Sequence, residues 1–148
     1  MNGLRFRWQV GWFLALSLFV AGCGSSEVTA HGNIMRNNEL VSFEPTDSVF
    51  LTFTTMDAPN PRAFSGHVNK DGSFTVSGAE GGGIPAGKYR ITLSTRHYGP
   101  PPKNPDQKLT DKFDGAFSDA ANSPLVVELH AGKQDLTIDV ANKTVTAK

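Results

Sequence analysis

The chain has 148 residues, a length that suits one domain of ordinary size, and it carries 14 basic and 14 acidic side chains. This balance excludes the strongly basic surface that nucleic-acid binding requires, and a single cysteine excludes an intramolecular disulfide. Two of the basic residues, Arg5 and Arg7, lie in a leader that we expect to be removed, which leaves a net charge of about −2 on the rest.

Residues 1–22 are typical of a bacterial export signal. Arg5 and Arg7 form its positive start, and residues 10–21 are almost entirely apolar. As a helix this apolar run spans about 18 Å, which is less than the ~30 Å core of a bilayer. We therefore predict an N-terminal signal helix that is cleaved, and a retained membrane-spanning anchor is the less favoured alternative.

The apolar run ends in Val20-Ala21-Gly22-Cys23, which resembles the lipobox of bacterial lipoproteins. In that family small residues precede an invariant cysteine, which is lipidated and becomes the new N-terminus. The resemblance implies signal cleavage between Gly22 and Cys23 and attachment of palmitate-type acyl chains at Cys23. Val20 stands where leucine is more usual. The alternative is an ordinary export signal with Cys23 as a bystander.

Gly24 follows the predicted lipid anchor. By resemblance to the lipoproteins of two-membrane bacteria, the lack of Asp at this position favours the outer membrane, facing the periplasm or the exterior. The short tether reaches at most ~15 Å, which would hold the domain close to the membrane. We predict three parts: a lipoprotein signal peptide over 1–22, the lipidated cysteine with its tether over 23–27, and a β-domain over 28–148.

After Cys23 the apolar residues alternate with polar ones at a period of two, and turn residues separate the runs. We predict seven strands, typical of an all-β Greek-key β-sandwich; the first two cover about 28–36 and 47–54. Asn69-Lys70-Asp71-Gly72 predicts a hairpin between the third and fourth strands, because Asp-Gly tolerates positive φ. The residues predicted to face inward are, strand by strand, Val28, Ala30, Gly32 and Ile34; Val49, Leu51 and Phe53; Phe64, Gly66 and Val68; Phe74 and Val76; Tyr89, Ile91 and Leu93; Leu125, Val127 and Leu129; and Leu136, Ile138 and Val140.

Two stretches interrupt the strand pattern. Residues 78–87 are rich in glycine, and residues 98–122 combine Pro100-Pro101-Pro102 with alternating charged and apolar side chains. A loop of the second length in a compact domain is functional, flexible or contains a short element. The proline run either stiffens the loop or presents a polyproline II surface to a partner. Phe113 and Phe117 are spaced to dock the loop onto the domain through one helical turn.

Three segments resemble the carboxypeptidase regulatory-like domains, which are transthyretin-type (prealbumin-like) sandwiches. They are Gly32-Asn33-Ile34 with Asn38-Glu39-Leu40, then Asp71-Gly72-Ser73-Phe74, then residues 84–91, which read Ile-Pro-Ala-Gly-Lys-Tyr-Arg-Ile. Ser123-Pro124-Leu125 also resembles the start of the penultimate strand in that family, whereas Asn38 departs from its usual glycine. The likeness covers about residues 28–140. It implies an accessory, non-catalytic, surface-exposed module.

Residues 82–88 have the glycine and lysine spacing of a phosphate-binding loop. However, Tyr89 stands where Ser or Thr would hold magnesium, and a strand rather than a helix is predicted to follow. We therefore expect no nucleotide. His31, His67 and His130 are predicted to face outward, and none of the four histidines has metal-ligand spacing or a thiol as fellow ligand, so we expect no metal.

The remaining chemistry is weak. Asp106, Asp111, Asp114 and Asp119 miss the register of a calcium loop, which favours a solvated acidic loop. No nucleophile lies in a Gly-x-Ser-x-Gly elbow. The enzyme considered on fold grounds, the transthyretin-like 5-hydroxyisourate hydrolase, ends in a Tyr-Arg-Gly-Ser signature that residues 146–148 do not match. We expect no catalytic residues.

These patterns together favour a non-enzymatic, envelope-anchored lipoprotein with a structural or protein-interaction role. Its expected partners are the membrane, through Cys23, and an envelope protein; no cofactor or nucleic acid is expected. The alternative function is the binding of a small ligand, a carbohydrate or a metal, by loops at one end of the sandwich at the cell surface.

Overall fold

The computed structural model describes residues 27–97 and 111–148, and this part of the chain is all-β. Its helical content is a single 3₁₀ turn at Ala79–Gly81. The all-β prediction is therefore confirmed. The predicted signal helix, Cys23 and the first half of the long loop, residues 98–110, lie outside the described residues. No helix in the described part of the chain is long and apolar enough to cross a membrane.

Ten strands make up the described part of the fold. Seven of them coincide in place with the seven predicted strands, whereas β2, β6 and β10 escape the sequence pattern because they are short and offer few apolar positions. In chain order the strands are β1 (Glu27–Arg36), β2 (Glu39–Leu40), β3 (Asp47–Thr55), β4 (Ala63–Val68), β5 (Ser73–Val76), β6 (Ile84–Pro85), β7 (Gly87–His97), β8 (Val126–Leu129), β9 (Gly132–Asp139) and β10 (Thr144–Ala147).

All ten strands belong to one mixed sheet. Its hydrogen-bonded order is β10-β9-β1-β5-β4-β3-β7-β8, and β2 and β6 pair with β1. β1 and β9 run parallel, whereas the other pairs are antiparallel. The two outermost strands, β8 and β10, also approach each other, so the sheet curves into a nearly closed barrel. Such curvature shields the sheet edges from pairing with other chains.

The core lies on the inner face that the two-residue period predicts. The large apolar residues predicted to face inward are buried, or partly buried against the core. Tyr89 is fully buried, and its ring packs edge-on against Phe53 and Phe64 at centroid distances of 6.2 and 6.1 Å. Its hydroxyl donates to the Pro85 carbonyl at 2.6 Å, and burial raises the pKa of this hydroxyl. Phe50, which is out of phase with its strand, is 48% exposed.

The hairpin between β4 and β5 forms at the predicted turn. Gly72 has a φ of +82°, a conformation that favours glycine, and a Cβ there would lie 2.4 Å from the Val41 carbonyl oxygen. The Asp71 carboxylate accepts hydrogen bonds from the hydroxyl and the backbone N–H of Ser73 at 2.6 and 3.0 Å. These bonds lower the pKa of Asp71. The prediction of this hairpin is confirmed.

Residues 111–117, here termed the returning segment, dock the end of the long loop onto the sheet. Phe113 and Phe117 are both buried, with ring centroids 6.0 Å apart, and the Phe117 carbonyl accepts a hydrogen bond from the backbone of β7 at 3.0 Å. The docking predicted from their spacing is confirmed. The returning segment is a run of turns rather than one helical turn, because Asp114 and Gly115 both have positive φ.

Candidate functional site

The strand directions give the barrel two ends. β1 begins at Glu27, which is paired with Pro85, so β6, the end of β3 and the start of β7 all lie at this end, termed the tether end. β1 continues for ten residues to Arg36. At 3.3 Å per residue the opposite, distal end is about 30 Å away. The start of β3 and the end of β7 lie at the distal end.

A groove of about 270 Å³ opens at the tether end between residues 56–62 and residues 85–88. We term it the tether groove. Hydrogen bonds between Thr55 and Arg62 join the two ends of the loop over residues 56–62. The Thr55 hydroxyl accepts the Arg62 N–H at 2.8 Å, and the Thr55 N–H donates to the Arg62 carbonyl at 2.9 Å. A further backbone hydrogen bond of 2.9 Å joins this loop to the start of β7. Hydrogen bonds therefore fix the walls of the tether groove relative to each other.

Small and apolar groups line most of the tether groove, and two cations stand beside them. The Arg62 guanidinium lies 5.2 Å from the centroid of the Phe64 ring, a cation–π contact that orients it. Lys88 is exposed. Within residues 27–97 and 111–148, neither cation forms an ion pair with a carboxylate. Asp57 is the acidic residue of the described lining. The tether groove thus joins a mainly apolar surface to one carboxylate, Asp57, and to two cations that form no ion pair within the described residues.

Residues 82–88, which have the spacing of a phosphate loop, lead into β7. Ile84 and Tyr89 are fully buried and Lys88 is exposed, as the alternation predicted. β7 begins at Gly87, so a strand follows the glycines. A phosphate loop instead directs its glycines to the N-terminus of a helix. The role of this segment in the fold is to bring Tyr89 into the core.

His31 and His67 flank Thr75 in one cross-strand row, whereas His97 lies at the end of β7 and His130 follows β8. His67 and His130 are exposed, as predicted. His31 lies on the outer face but is engaged, because its Nε2 lies 2.5 Å from Asp135 Oδ1 across the parallel pair of β1 and β9. Among residues 27–97 and 111–148, no group of three or more His, Cys, Asp or Glu side chains is placed to hold a metal ion.

A second groove, of about 490 Å³, surrounds the pair of His31 and Asp135 on the outer face of β9, β1 and β5. We term it the polar groove. Its polar side chains carry hydroxyl, amide, imidazole and carboxylate groups and the ammonium group of Lys148, so that together they can both donate and accept hydrogen bonds. The strand register sets them in two rows, Asp135, His31 and Thr75 in one, and Thr137, Asn33 and Ser73 in the next.

At the distal end, Asp47 lies between the imidazole of His97 and the ammonium group of Lys112. Its Oδ1 lies 2.9 Å from His97 Nδ1, and its Oδ2 lies 3.8 Å from Lys112 Nζ and accepts the Glu44 N–H at 2.9 Å. The Asp47 side chain is 12% exposed. The hydrogen bond with His97 is the main cause that holds the pKa of Asp47 below its ordinary value of 3.8. This cluster joins β3, β7 and the returning segment.

Asp111 fastens the returning segment to β7. Its Oδ1 accepts hydrogen bonds from the N–H and the hydroxyl of Thr95 at 2.7 and 2.9 Å, and from the Phe113 N–H at 3.3 Å. Its Oδ2 accepts the Gly115 N–H at 3.1 Å. A carboxylate with four such bonds is a structural clasp. The expectation of a solvated acidic loop therefore fails for Asp111.

The other acidic residues of the long loop differ from Asp111. Asp119 is exposed and accepts hydrogen bonds from Asn122 and from the Ala121 N–H within its own turn, at 2.6 and 2.7 Å. These bonds lower the pKa of Asp119. Asp114 is exposed, and Asp106 lies outside the described residues, as do Gly22 and Cys23, the predicted cleavage and lipidation sites.

The tether groove and the cluster around Asp47 were not predicted from the sequence. Both form where strands that are distant in the chain become neighbours. Asp47 is opposite His97 only because β3 pairs with β7, and the cations of the tether groove come from residues 62 and 88. In the sequence, two basic residues with no acidic residue at helical or hairpin spacing are only a weak indication of an anion site. The indication becomes useful once the strand pairing shows that the two residues line the same groove.

A scan against protein-family models finds no match for the chain, and searches of curated proteins and of solved structures find none either. The residues and their geometry therefore have to supply the functional argument.

Proposed function

We propose that this chain is a bacterial lipoprotein of the cell envelope. Residues 1–22 direct its export, and lipid at Cys23 anchors the β-domain. The observation that carries the proposal is Val20-Ala21-Gly22-Cys23 at the end of a short apolar run with a positive start. Cys23 is the single cysteine, and an unmodified exported thiol would be a reactive leftover. Several acyl chains on one residue give stable anchoring, which a single chain does not.

The proposed role is non-enzymatic, structural or in protein interaction. It is supported by the use of the half-buried carboxylates of Asp47 and Asp111 in hydrogen bonds that hold the fold together. The expected partner, besides the membrane, is another protein of the envelope. Gly24 in place of Asp favours the outer membrane, with the domain facing the periplasm or the exterior.

We further propose a transthyretin-type, Greek-key sandwich of seven main strands, related to the carboxypeptidase regulatory-like domains. The strand positions support it, since β1, β3, β4, β5, β7, β8 and β9 coincide with the seven strands of the predicted sandwich. The family-like segment Asp71-Gly72-Ser73-Phe74 forms the hairpin between β4 and β5, and residues 84–91 lead into the core at Tyr89.

The lipoprotein proposal is tested in cells by replacing Cys23 with Ala. We expect the Cys23→Ala variant to lose incorporation of labelled palmitate and to accumulate as uncleaved precursor or to leave the membrane fraction. Ser25→Ala, two residues further on, is the matched control and should be labelled normally. The anchor would be refuted if the Cys23→Ala variant were labelled as strongly as the native chain. It would also be refuted if the native chain were not labelled and the variant fractionated with the membrane as the native chain does.

A second candidate function is the binding of a small hydroxylated ligand such as a carbohydrate. The observation that favours it is the polar groove, because its cross-strand rows of donors and acceptors suit hydroxyl groups better than apolar surface. This places the ligand on the face of the sheet rather than on the loops at one end. Calorimetric titration of the protein with envelope oligosaccharides tests it: binding should disappear in Asn33→Ala, and unaltered binding in that variant would exclude the groove.

A further inference from the structure

We propose that the tether end is the membrane-contact face of the protein, and that the tether groove holds the phosphate diester of a phospholipid between Arg62 and Lys88. This inference rests on the proposed lipid anchor at Cys23. It adds an orientation for the domain, a second and non-covalent contact with lipid, and the side chains that make this contact.

The reach of the chain favours this face. Four residue steps separate Cys23 from Glu27, so the anchor lies at most about 15 Å from the start of β1. Glu27 is paired with Pro85, which lines the tether groove. The distal end is about 30 Å further along the strands. A lipid attached at Cys23 therefore brings the membrane surface to the tether groove before any distal residue reaches it.

The chemistry of the tether groove matches the interface of a membrane. Its lining is mainly apolar and small, and Met56 beside it is 36% exposed. Arg62 and Lys88 add two cations that no carboxylate of the described residues pairs with. A guanidinium binds a phosphate through two parallel hydrogen bonds, and an ammonium binds it as a point charge. Interfacial protein surfaces combine such apolar and cationic groups.

Two cations of the distal end, Arg36 and Lys112, are used differently. Lys112 Nζ donates to the Ser42 carbonyl at 2.7 Å and lies near Asp47. Arg36 donates to the Lys112 carbonyl at 3.3 Å, and its guanidinium lies 5.7 Å from the centroid of the Phe113 ring. These contacts hold the returning segment in place. Among the described residues no comparable polar partner is found for the Arg62 guanidinium or the Lys88 ammonium, so a phosphate would supply one.

A free phosphate ion and a phospholipid share the same charged group. We assign the groove to the phospholipid, because a free ion would contact the two cations and leave the apolar lining exposed to water. The glycerol and the first methylenes of a lipid would cover that lining, and burial of these apolar groups favours binding. The position of the groove next to the anchor points to the same source.

The experiment uses the full chain, processed and lipidated in cells and reconstituted in vesicles of phosphatidylethanolamine and phosphatidylglycerol. Lipidation at Cys23 removes the native thiol, so Ala86→Cys and Ala116→Cys each supply one labelling site. Both alanines are exposed, the first in the tether groove and the second on the returning segment. An environment-sensitive dye at residue 86 should be quenched several times more strongly by brominated lipids than a dye at residue 116. Equal quenching, or stronger quenching at residue 116, overturns the orientation.

The two cations are tested in the same assay. The double variant Arg62→Gln with Lys88→Gln should lower the ratio of lipid-contacting to water-exposed dye at residue 86 by about thirtyfold, since each of the two cations contributes about 1 kcal/mol near an anionic surface. Lys70→Gln with Lys143→Gln, at the distal end, is the matched control and should leave the ratio unchanged. Far-UV circular dichroism checks that the first variant is folded like the native chain. If it is, an unchanged ratio refutes the phosphate contact. If the double variant is misfolded, the Arg62→Gln and Lys88→Gln single variants are compared instead.

Two further arms separate the alternatives. If excess inorganic phosphate abolishes the quenching at constant ionic strength, the groove is a free-anion site and the assignment to lipid is wrong. If the native chain, without an added cysteine, reacts with the thiol dye and fails to incorporate labelled palmitate, the proposed function fails. If labelled palmitate is incorporated and the dye at residue 86 still reports water, the inference alone fails.

Discussion

At the distal end the carboxylates of Asp47 and Asp111 are bound within the protein, whereas at the tether end Arg62 and Lys88 have no acidic partner among the described residues. Asp47 and Asp111 accept hydrogen bonds that join β3, β7 and the returning segment. Arg62 and Lys88 stand beside an apolar groove without an ion pair in the described residues. A half-buried charge that is fully bonded stabilises the fold, and removing one partner is costly. The contrast therefore separates a structural cluster from a surface available to a ligand.

The largest effect is expected in the core above the tether groove, at Tyr89. Tyr89→Ala removes a fully buried ring and should lower the free energy of unfolding by about 4 kcal/mol. Tyr89→Phe removes only the hydrogen bond to Pro85 and should cost about 1 kcal/mol. Urea denaturation of the leaderless chain, followed by far-UV circular dichroism because both tryptophans lie in the leader, measures both. If Tyr89→Ala lowered the free energy of unfolding by less than Tyr89→Phe does, the packing described for the ring would be wrong.

The second prediction tests whether charge at the two ends differs in its effect on stability. Asp111→Ala leaves the N–H groups of Thr95, Phe113 and Gly115 without their acceptor and should cost about 3 kcal/mol. Asp57→Ala, at the tether groove, is the matched control; Asp57 is exposed and should change the free energy of unfolding by less than about 0.5 kcal/mol. The same urea denaturation measures both variants. If they lost equal free energy of unfolding, the carboxylates of the two ends would not differ in their contribution to stability.

The third prediction concerns acid. The pKa of Asp47 is lowered in the folded state, first by the hydrogen bond with His97, so ionised Asp47 favours folding. This contribution is complete above the ordinary pKa of 3.8 and is lost as the pH falls through the lowered value. Asp47→Asn should therefore flatten the fall in urea midpoint below about pH 4.

Other carboxylates limit the size of that effect. The pKa values of Asp71, Asp119 and Asp139 are also lowered by hydrogen bonds in their own turns, so part of the acid sensitivity should remain in Asp47→Asn. Asp139→Asn serves as a control in a turn outside the distal cluster. If the urea midpoint of Asp47→Asn falls with pH as steeply as that of the native chain, the distal cluster does not contribute to the acid sensitivity.

The smallest effect on stability is expected at Lys88. Its side chain is exposed and has no ion pair among the described residues, so Lys88→Ala should change the free energy of unfolding by less than about 0.5 kcal/mol. The same variant should weaken the lipid contact of the tether groove, which Tyr89→Phe should leave intact. A Lys88→Ala variant that is as destabilised as Asp111→Ala would mean that Lys88 holds the fold rather than a ligand.

The strands were predictable because their signal is local. Alternation identified the inner face of β1, β3, β7 and β9, and Asp71-Gly72 fixed the one hairpin with a strong turn signal. β2 and β6 have two residues each, too few for a period to be read. The bonded state of Asp111 was not predictable either, because its partners lie in β7 and in a turn whose positive φ angles are set by tertiary contacts.

The sequence by itself determined the all-β class and the inward residues, and it is also the sole basis of the proposed lipobox. These follow from short-range properties: side chains alternate at a period of two along a strand, and an export signal is a contiguous apolar run. The tertiary structure alone decided that β1 and β9 are parallel neighbours, that Asp47 meets His97, and that Arg62 and Lys88 share one groove. Such pairings depend on the closure of long loops and on packing across the whole sheet, and no local pattern encodes them.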